Sequence, residues 1–200
     1  MKQWFSHSCS IILALTLLSG LCGCCLFGTA PTVDVVRRDG SYFTRVEWSS
    51  HPGGSPAKWV GNLIDDDSSP ESGVWEADTT GTANTVISFF GEKAEIGSFK
   101  IYDVGIQGQK PSDENVRKFN IYVSEDAGAG RLGSERSLIN KIPWTRVAGA
   151  ELGRKEGWIE LPLEKPVNAK YVRIELIGNP KSQAKSPWPM MGEVKIFPPK

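Results

Sequence analysis

Three consecutive carboxylates, Asp65, Asp66 and Asp67, followed by Ser68 and Ser69, form the densest run of ligating oxygens in the chain. Adjacent carboxylates repel one another, and a hard cation such as Ca²⁺, which takes about six to eight oxygen ligands, relieves that repulsion. The other reading is a solvated turn in which each Asp bonds nearby backbone. Trp188 is held between Pro187 and Pro189. Those prolines lack N–H donors and stiffen the chain, so Trp188 does not suit a central strand. Turned outward, its ring is a flat platform for the C–H face of a sugar ring, with little ordering cost; turned inward, it caps the core. His51 lies in a Ser-Ser-His-Pro-Gly-Gly turn. There it either hydrogen-bonds a ligand hydroxyl or serves as an ordinary turn residue. Trp59, just before Asn62-Leu63-Ile64-Asp65, is either a second platform or a core plug.

Catalytic chemistry has little to stand on. The sequence contains no HExxH, no Walker loop and no GxSxG. A Ser-His-Asp triad would need His51, and a Gly/Pro turn is a poor place for a preorganised base. The chain is therefore expected to bind rather than transform. Lys plus Arg and Asp plus Glu both total 23 in the 200 residues, so the net charge is zero, which excludes nucleic-acid binding driven by overall positive charge.

The elements that must hold these side chains read as strands. Gly (21) and Pro (13) punctuate the chain at short intervals, which favours turns over long helices. Between them lie apolar or alternating runs: TVISFF (85–90), IGSFKIYDV (96–104), VRKFNIYVS (116–124), WIELPL (158–163), YVRIELI (171–177) and EVKIF (193–197). Period-2 patterning at this spacing predicts a sandwich or barrel of antiparallel strands, each with one wetted face. A single sheet leaves an apolar face in water, so two packed sheets are expected. Trp48, Trp75, Trp144 and Trp158 fall in strand-like segments and are expected in the core.

All four cysteines, Cys9, Cys22, Cys24 and Cys25, lie at the front, so no disulfide can brace the rest of the chain. The same region holds an apolar run, Ile11 to Leu18, too short to span a bilayer and of signal-peptide length. Leu21-Cys22-Gly23-Cys24 resembles the bacterial lipobox. That resemblance implies cleavage after residue 23, lipidation of Cys24, and anchoring in the bacterial cell envelope, at the outer membrane or cell surface. The reading divides the chain into a lipoprotein signal peptide (1–23), a tether or first strand (24–41) and one folded domain (42–200).

Six segments in fixed order resemble the discoidin domain, also called the coagulation-factor type C domain. Asn62-Leu63-Ile64-Asp65 with Trp75 resembles the family's opening motif, and TVISFFGEKAEIGSFKIY (85–102) its first long pair of strands. VRKFNIYVSEDAG (116–128), Trp144-Thr145-Arg146-Val147, NAKYVRIEL (168–176) and GEVKIF (192–197) follow in the family's sequence. The resemblance covers about residues 45–197 and implies an all-β, eight-stranded antiparallel jelly-roll β-sandwich of the galactose-binding type, similar to family 32 carbohydrate-binding modules. It further implies a structural Ca²⁺ between the acidic loop (Asp65, Asp67) and the acid of the last strand, Glu193. It also implies a glycan site on the end loops, with Trp188 as the aromatic.

Three departures stand out. Asp66 replaces a Gly, about three extra residues precede Trp75, and residues 129–142 read as an insertion forming an exposed polar loop. The loop where sugar-binding relatives use an Arg offers Gln107, Gln109 and Lys110 instead, so the family's terminal-galactose recognition is not expected unchanged. The resulting expectation is a lipid-anchored, non-catalytic carbohydrate binder. The alternative is a structural or protein-binding subunit of an envelope assembly, using the sandwich face or the 129–142 insertion. A third option, binding to a phospholipid surface through Lys181, Lys185 and the Trp188 run, is weaker because two lysines contribute only about 2 kcal/mol at an anionic surface.

Overall fold

A computed structural model describes residues 36–53, 59–68, 73–77, 79, 81–104, 117–132, 136–152, 156–178 and 188–200. Two antiparallel sheets pack face to face. The larger contains β1 (Arg45–Ser49), β3 (Thr82–Ser88), β8 (Tyr171–Ile177), β5 (Arg117–Ser124) and β6 (Thr145–Leu152), in the order β1-β3-β8-β5-β6. The smaller is β10 (Val194–Phe197), β4 (Ala94–Asp103) and β7 (Gly157–Ala169), in the order β10-β4-β7. Six of these eight strands overlap the alternating runs, and eight is the number that the family resemblance implies. A two-stranded pair, β2 (Trp75–Glu76) with β9 (Met190–Met191), closes one end.

Alternation explains the core. Val172, Ile174 and Leu176 of β8 and Phe119, Ile121 and Val123 of β5 point between the sheets and are buried. They meet Ile96, Phe99 and Ile101 of β4 and Val194 and Ile196 of β10. Each such side chain contributes about 1.5–3 kcal/mol relative to exposure. Strand β7 lies at the edge, where Pro162 and Pro166 cost no ladder bond and their missing N–H groups discourage pairing with another chain.

The described part of the 24–41 tether or first strand does not hang free: Val36 pairs with Tyr42, Tyr42 N–H donates to Ile196 O (2.7 Å), and Lys195 binds Asp39 (2.6 Å). Nor is the 129–142 insertion an exposed polar loop throughout. Its 3-10 turns, Ala127–Gly130 and Arg136–Lys141, bring Ala129, Leu132 and Ile139 into a second buried cluster with Val86. Val86 points away from the main core, so the insertion roofs the outer face of the five-stranded sheet. Trp48, Trp144 and Tyr171 pack at its margin. Arg173, 8 % exposed, is held there with its guanidinium 4.0 Å from the Tyr122 ring and 5.3 Å from that of Trp144.

Candidate functional site

Backbone hydrogen bonds gather four sequence-distant segments at the end closed by β2 and β9. Trp75 is fully buried, and its Nε1–H donates to His51 O (2.8 Å), which fixes the His51–Pro52 turn. Val60 N–H donates to Pro52 O (2.8 Å), which seats the 3-10 turn Val60–Leu63 against that turn. Asn62 Nδ2 donates to Val74 O (3.1 Å), and Ala77 N–H to Pro189 O (3.1 Å). The register Trp75↔Met191 and Glu76↔Met190 then places Trp188 beside the same closure.

The sequence-predicted ligand residues on this end are therefore carried by tied segments. Trp59 is 55 % exposed and Trp188 is 40 % exposed, so neither plugs the core. His51 is half-buried and shares a 2.9 Å hydrogen bond with Ser50 Oγ, which also accepts Asn84 N–H (2.9 Å). That chain orients the imidazole. Asn84 Oδ1 is buried without a protein partner, so this end retains an uncommitted acceptor. Gln107, Gln109 and Lys110 lie outside the described residues, as does Cys24.

The acidic loop is built differently from the three-carboxylate cluster expected of it. Asp66 adopts the left-handed region (φ 68°), a conformation that favours Gly. This turn directs its N–H to Glu193 Oε2 (3.1 Å). Its own carboxylate is taken by Arg37 Nη1 (2.5 Å) and Lys195 Nζ (3.1 Å). Arg37 Nη2 also donates to Ile64 O (2.8 Å). Asp65 Oδ1 accepts Asp67 N–H (3.0 Å), an Asx turn in which the Asp bonds nearby backbone. No group of three or more His, Cys, Asp or Glu able to hold a metal occurs among the described residues.

Glu193 is nevertheless an unusual acid. It is fully buried, and its Oε1 has no hydrogen-bond partner. Burial, reinforced by the nearby Asp66 and Asp65 charges and only partly offset by Arg37 and Lys195, pushes its carboxyl up to about 8. Burial works against the Lys195 charge too, yet its hydrogen bonds to Asp39 and Asp66 hold the ammonium above its ordinary range. For a hard cation, Glu193 and Asp65 fit as oxygen donors and Asp66 does not, because Asp66 is already neutralised by the chain's own cations.

Sequence reasoning missed Arg37 and Lys195 beside this loop, and it misplaced one aromatic. Trp158 is 42 % exposed rather than in the core, because it shares the wetted face of β7 with Glu160 and Pro162. The alternation in WIELPL carried that signal, since Ile159, Leu161 and Leu163 occupy the other face.

The fold is a β-sandwich like that of family 32 carbohydrate-binding modules. Among solved structures, the chain is similar to the family 32 carbohydrate-binding module of Streptococcus pneumoniae EndoD. The two are 14% identical with a TM-score of 0.55, and the match covers 80% of this chain and 98% of that one. It is also similar to a family 32 module from Clostridium perfringens in complex with GalNAc-β-1,3-galactose (12% identity, TM-score 0.53, 77% of this chain and 94% of that one). A third, the family 32 module of AlyQ in complex with 4,5-unsaturated mannuronic acid, is 18% identical with a TM-score of 0.51, over 78% and 97% of the two chains. No protein-family model and no curated protein matches the sequence.

Proposed function

We propose that this protein is a non-catalytic carbohydrate-binding lipoprotein of the bacterial cell envelope, anchored through Cys24, which grips its glycan with the loop end of the sandwich. The observation that carries the reading is the pair of exposed tryptophans, Trp59 and Trp188, on segments locked together by the buried Trp75 and the β2–β9 closure. Exposed indole rings stack on sugar C–H faces, while His51 supplies a polar contact to hydroxyls. Two of the similar modules were solved with sugars bound, which supports the same ligand class here. Gln107, Gln109 and Lys110 complete the proposed contact set. A shallow site of this kind binds weakly alone, and many lipid-anchored copies on one membrane raise the effective affinity.

Ca²⁺ belongs to the proposal as a structural ion, held by Glu193 Oε1 and Asp65. When bound it supplies positive charge to the buried carboxylate and stiffens the acidic loop. The residues around it do the remaining positioning: Arg37 and Lys195 fix Asp66, and Asp66 N–H fixes Glu193.

The test is a glycan array probed with the mature soluble domain, in calcium and in EDTA, alongside Trp188→Ala. Binding to a defined glycan set that Trp188→Ala abolishes is the expected result. Silence on the array, with an envelope protein co-purifying from the native membrane, overturns the reading in favour of a structural subunit.

A further inference from the structure

The two sheets treat their outer faces differently. The insertion covers the outer face of the five-stranded sheet, whereas that of β10-β4-β7 carries an ordered set of exposed and half-buried side chains. The register defines three rows. Tyr102 opposes Trp158; Lys195 opposes Lys100, which opposes Glu160; Phe197 opposes Ser98, which opposes Pro162. Successive rows are two residues apart, about 7 Å, so the face spans about 14 Å along the strands.

The first row is aromatic. The Tyr102 and Trp158 rings meet edge-on, with centroids 5.2 Å apart, and Tyr102 donates its hydroxyl proton to Glu156, which holds the pair in place. The second row is charged but internally neutralised: Lys100 binds Glu160 (2.6 Å) and Lys195 binds Asp39 (2.6 Å). The third row opens into a groove of about 690 Å³, lined by Phe197, Pro162, Leu163 and Pro166 together with Lys100 and Glu160. Gly97 makes the groove possible. A Cβ there would lie 2.5 Å from Pro199 Cα, so only glycine lets the C-terminal tail lie across β4 and form one wall.

We propose that this face is a second carbohydrate surface, which holds several consecutive sugars of an uncharged linear glycan from Trp158 to the Phe197 groove. The inference rests on the carbohydrate-binding reading and adds the class of ligand: a chain, not only its terminal sugar. Aromatic and proline surfaces receive the apolar faces of the rings, and the paired Lys100–Glu160 row offers both donors and acceptors to hydroxyls. The local pairing of charge favours an uncharged polyol over an anionic membrane or a strongly charged peptide, because neither sign of charge is left in excess.

The experiment measures binding of neutral β-1,4-linked galactose, glucose and mannose oligosaccharides, one to six sugars long, by calorimetry and affinity electrophoresis. The proteins are the wild-type mature domain, Trp158→Ala, Glu160→Gln and Trp188→Ala, each first checked for unchanged melting. We expect wild-type affinity to rise with chain length beyond two sugars. Trp158→Ala and Glu160→Gln should keep the affinity for the shortest ligand and lose about threefold to tenfold for the longest. Trp188→Ala should lose both. If Trp158→Ala and Glu160→Gln match wild type at every length while Trp188→Ala fails, the second surface is overturned and the end-loop site stands. If the wild type binds none of the three series at any length, the second surface is overturned, and the array decides the fate of the end-loop site separately. A concentration-dependent dimer that Trp158→Ala abolishes also overturns the proposal and assigns the face to self-association.

Discussion

Replacing Glu193 with Gln should remove the alkaline destabilisation that this group imposes on the metal-free domain. In the folded chain the Glu193 carboxyl is pushed from 4.5 up to about 8, first by burial and then by the Asp66 and Asp65 charges. Between those two pH values the folded state holds a proton that the unfolded state has released. Stability from this group is therefore fully present below pH 4.5 and is lost as pH rises through about 8. At about 1.4 kcal/mol per pH unit, the full span corresponds to at most about 5 kcal/mol. Glu193→Gln keeps the acceptor for Asp66 N–H, preserves the shape and does not titrate. Urea unfolding in EDTA at several values between pH 4.5 and 8.5 measures the effect. The wild type should start close to the Gln variant at the acid end and fall below it by several kcal/mol at the alkaline end. Added calcium should then restore the wild type alone, because it stabilises the ionised carboxylate. Two parallel curves in EDTA would refute the burial argument. A wild type indifferent to calcium at alkaline pH would refute Glu193 as a calcium ligand.

Two further perturbations test the frame around the site. Ile139→Ala should cost about 2–4 kcal/mol in chemical unfolding, because Ile139 is only 5 % exposed beneath the insertion; a change near zero would return that segment to the status of an exposed loop. Trp75→Phe should lower stability by about 1–3 kcal/mol by leaving His51 O without its 2.8 Å donor, and should weaken glycan binding through the loosened His51 turn; full binding with lowered stability would separate the two roles.

Much of the fold was legible because a strand's side-chain period is two and its wetted face must be polar. YVRIELI is β8 residue for residue, and VRKFNIYVS and IGSFKIYDV overlap β5 and β4 closely. The same rule, applied strictly, would have exposed Trp158: Ile159 and Leu161 claim the core face and leave Trp158 with Glu160. The general preference of Trp for burial opposes that pattern, and here the pattern prevails. The insertion hides its burial for the opposite reason. Ala129, Leu132 and Ile139 are dispersed among polar residues with neither period, because 3-10 turns over a sheet bury isolated side chains and not a stripe. Arg37 could not be assigned from sequence at all. Its partners, Ile64 O and Asp66, lie in a different segment, and only the closure of the sandwich brings them together.

The uneven covering of the two sheets also bears on how strongly such a domain can hold a polymer. The proposed rim site, built on Trp59 and Trp188, would engage a ligand at one end of the sandwich, with an affinity limited by a small, open contact. Tyr102 and Trp158 lie at the end of β4 and β7 nearest that rim, since Gly192, just beyond Met191 of β9, donates its N–H to Tyr102 O (3.0 Å). A glycan seated on the rim would therefore present its next sugars at high local concentration to the open face, so modest contacts there translate into retention without a deep pocket. Roofing the five-stranded face while leaving much of the three-stranded one open would restrict that second contact to a single side. It would direct the polymer along β4 and β7 toward the Phe197 groove, away from the segments that stabilise the core.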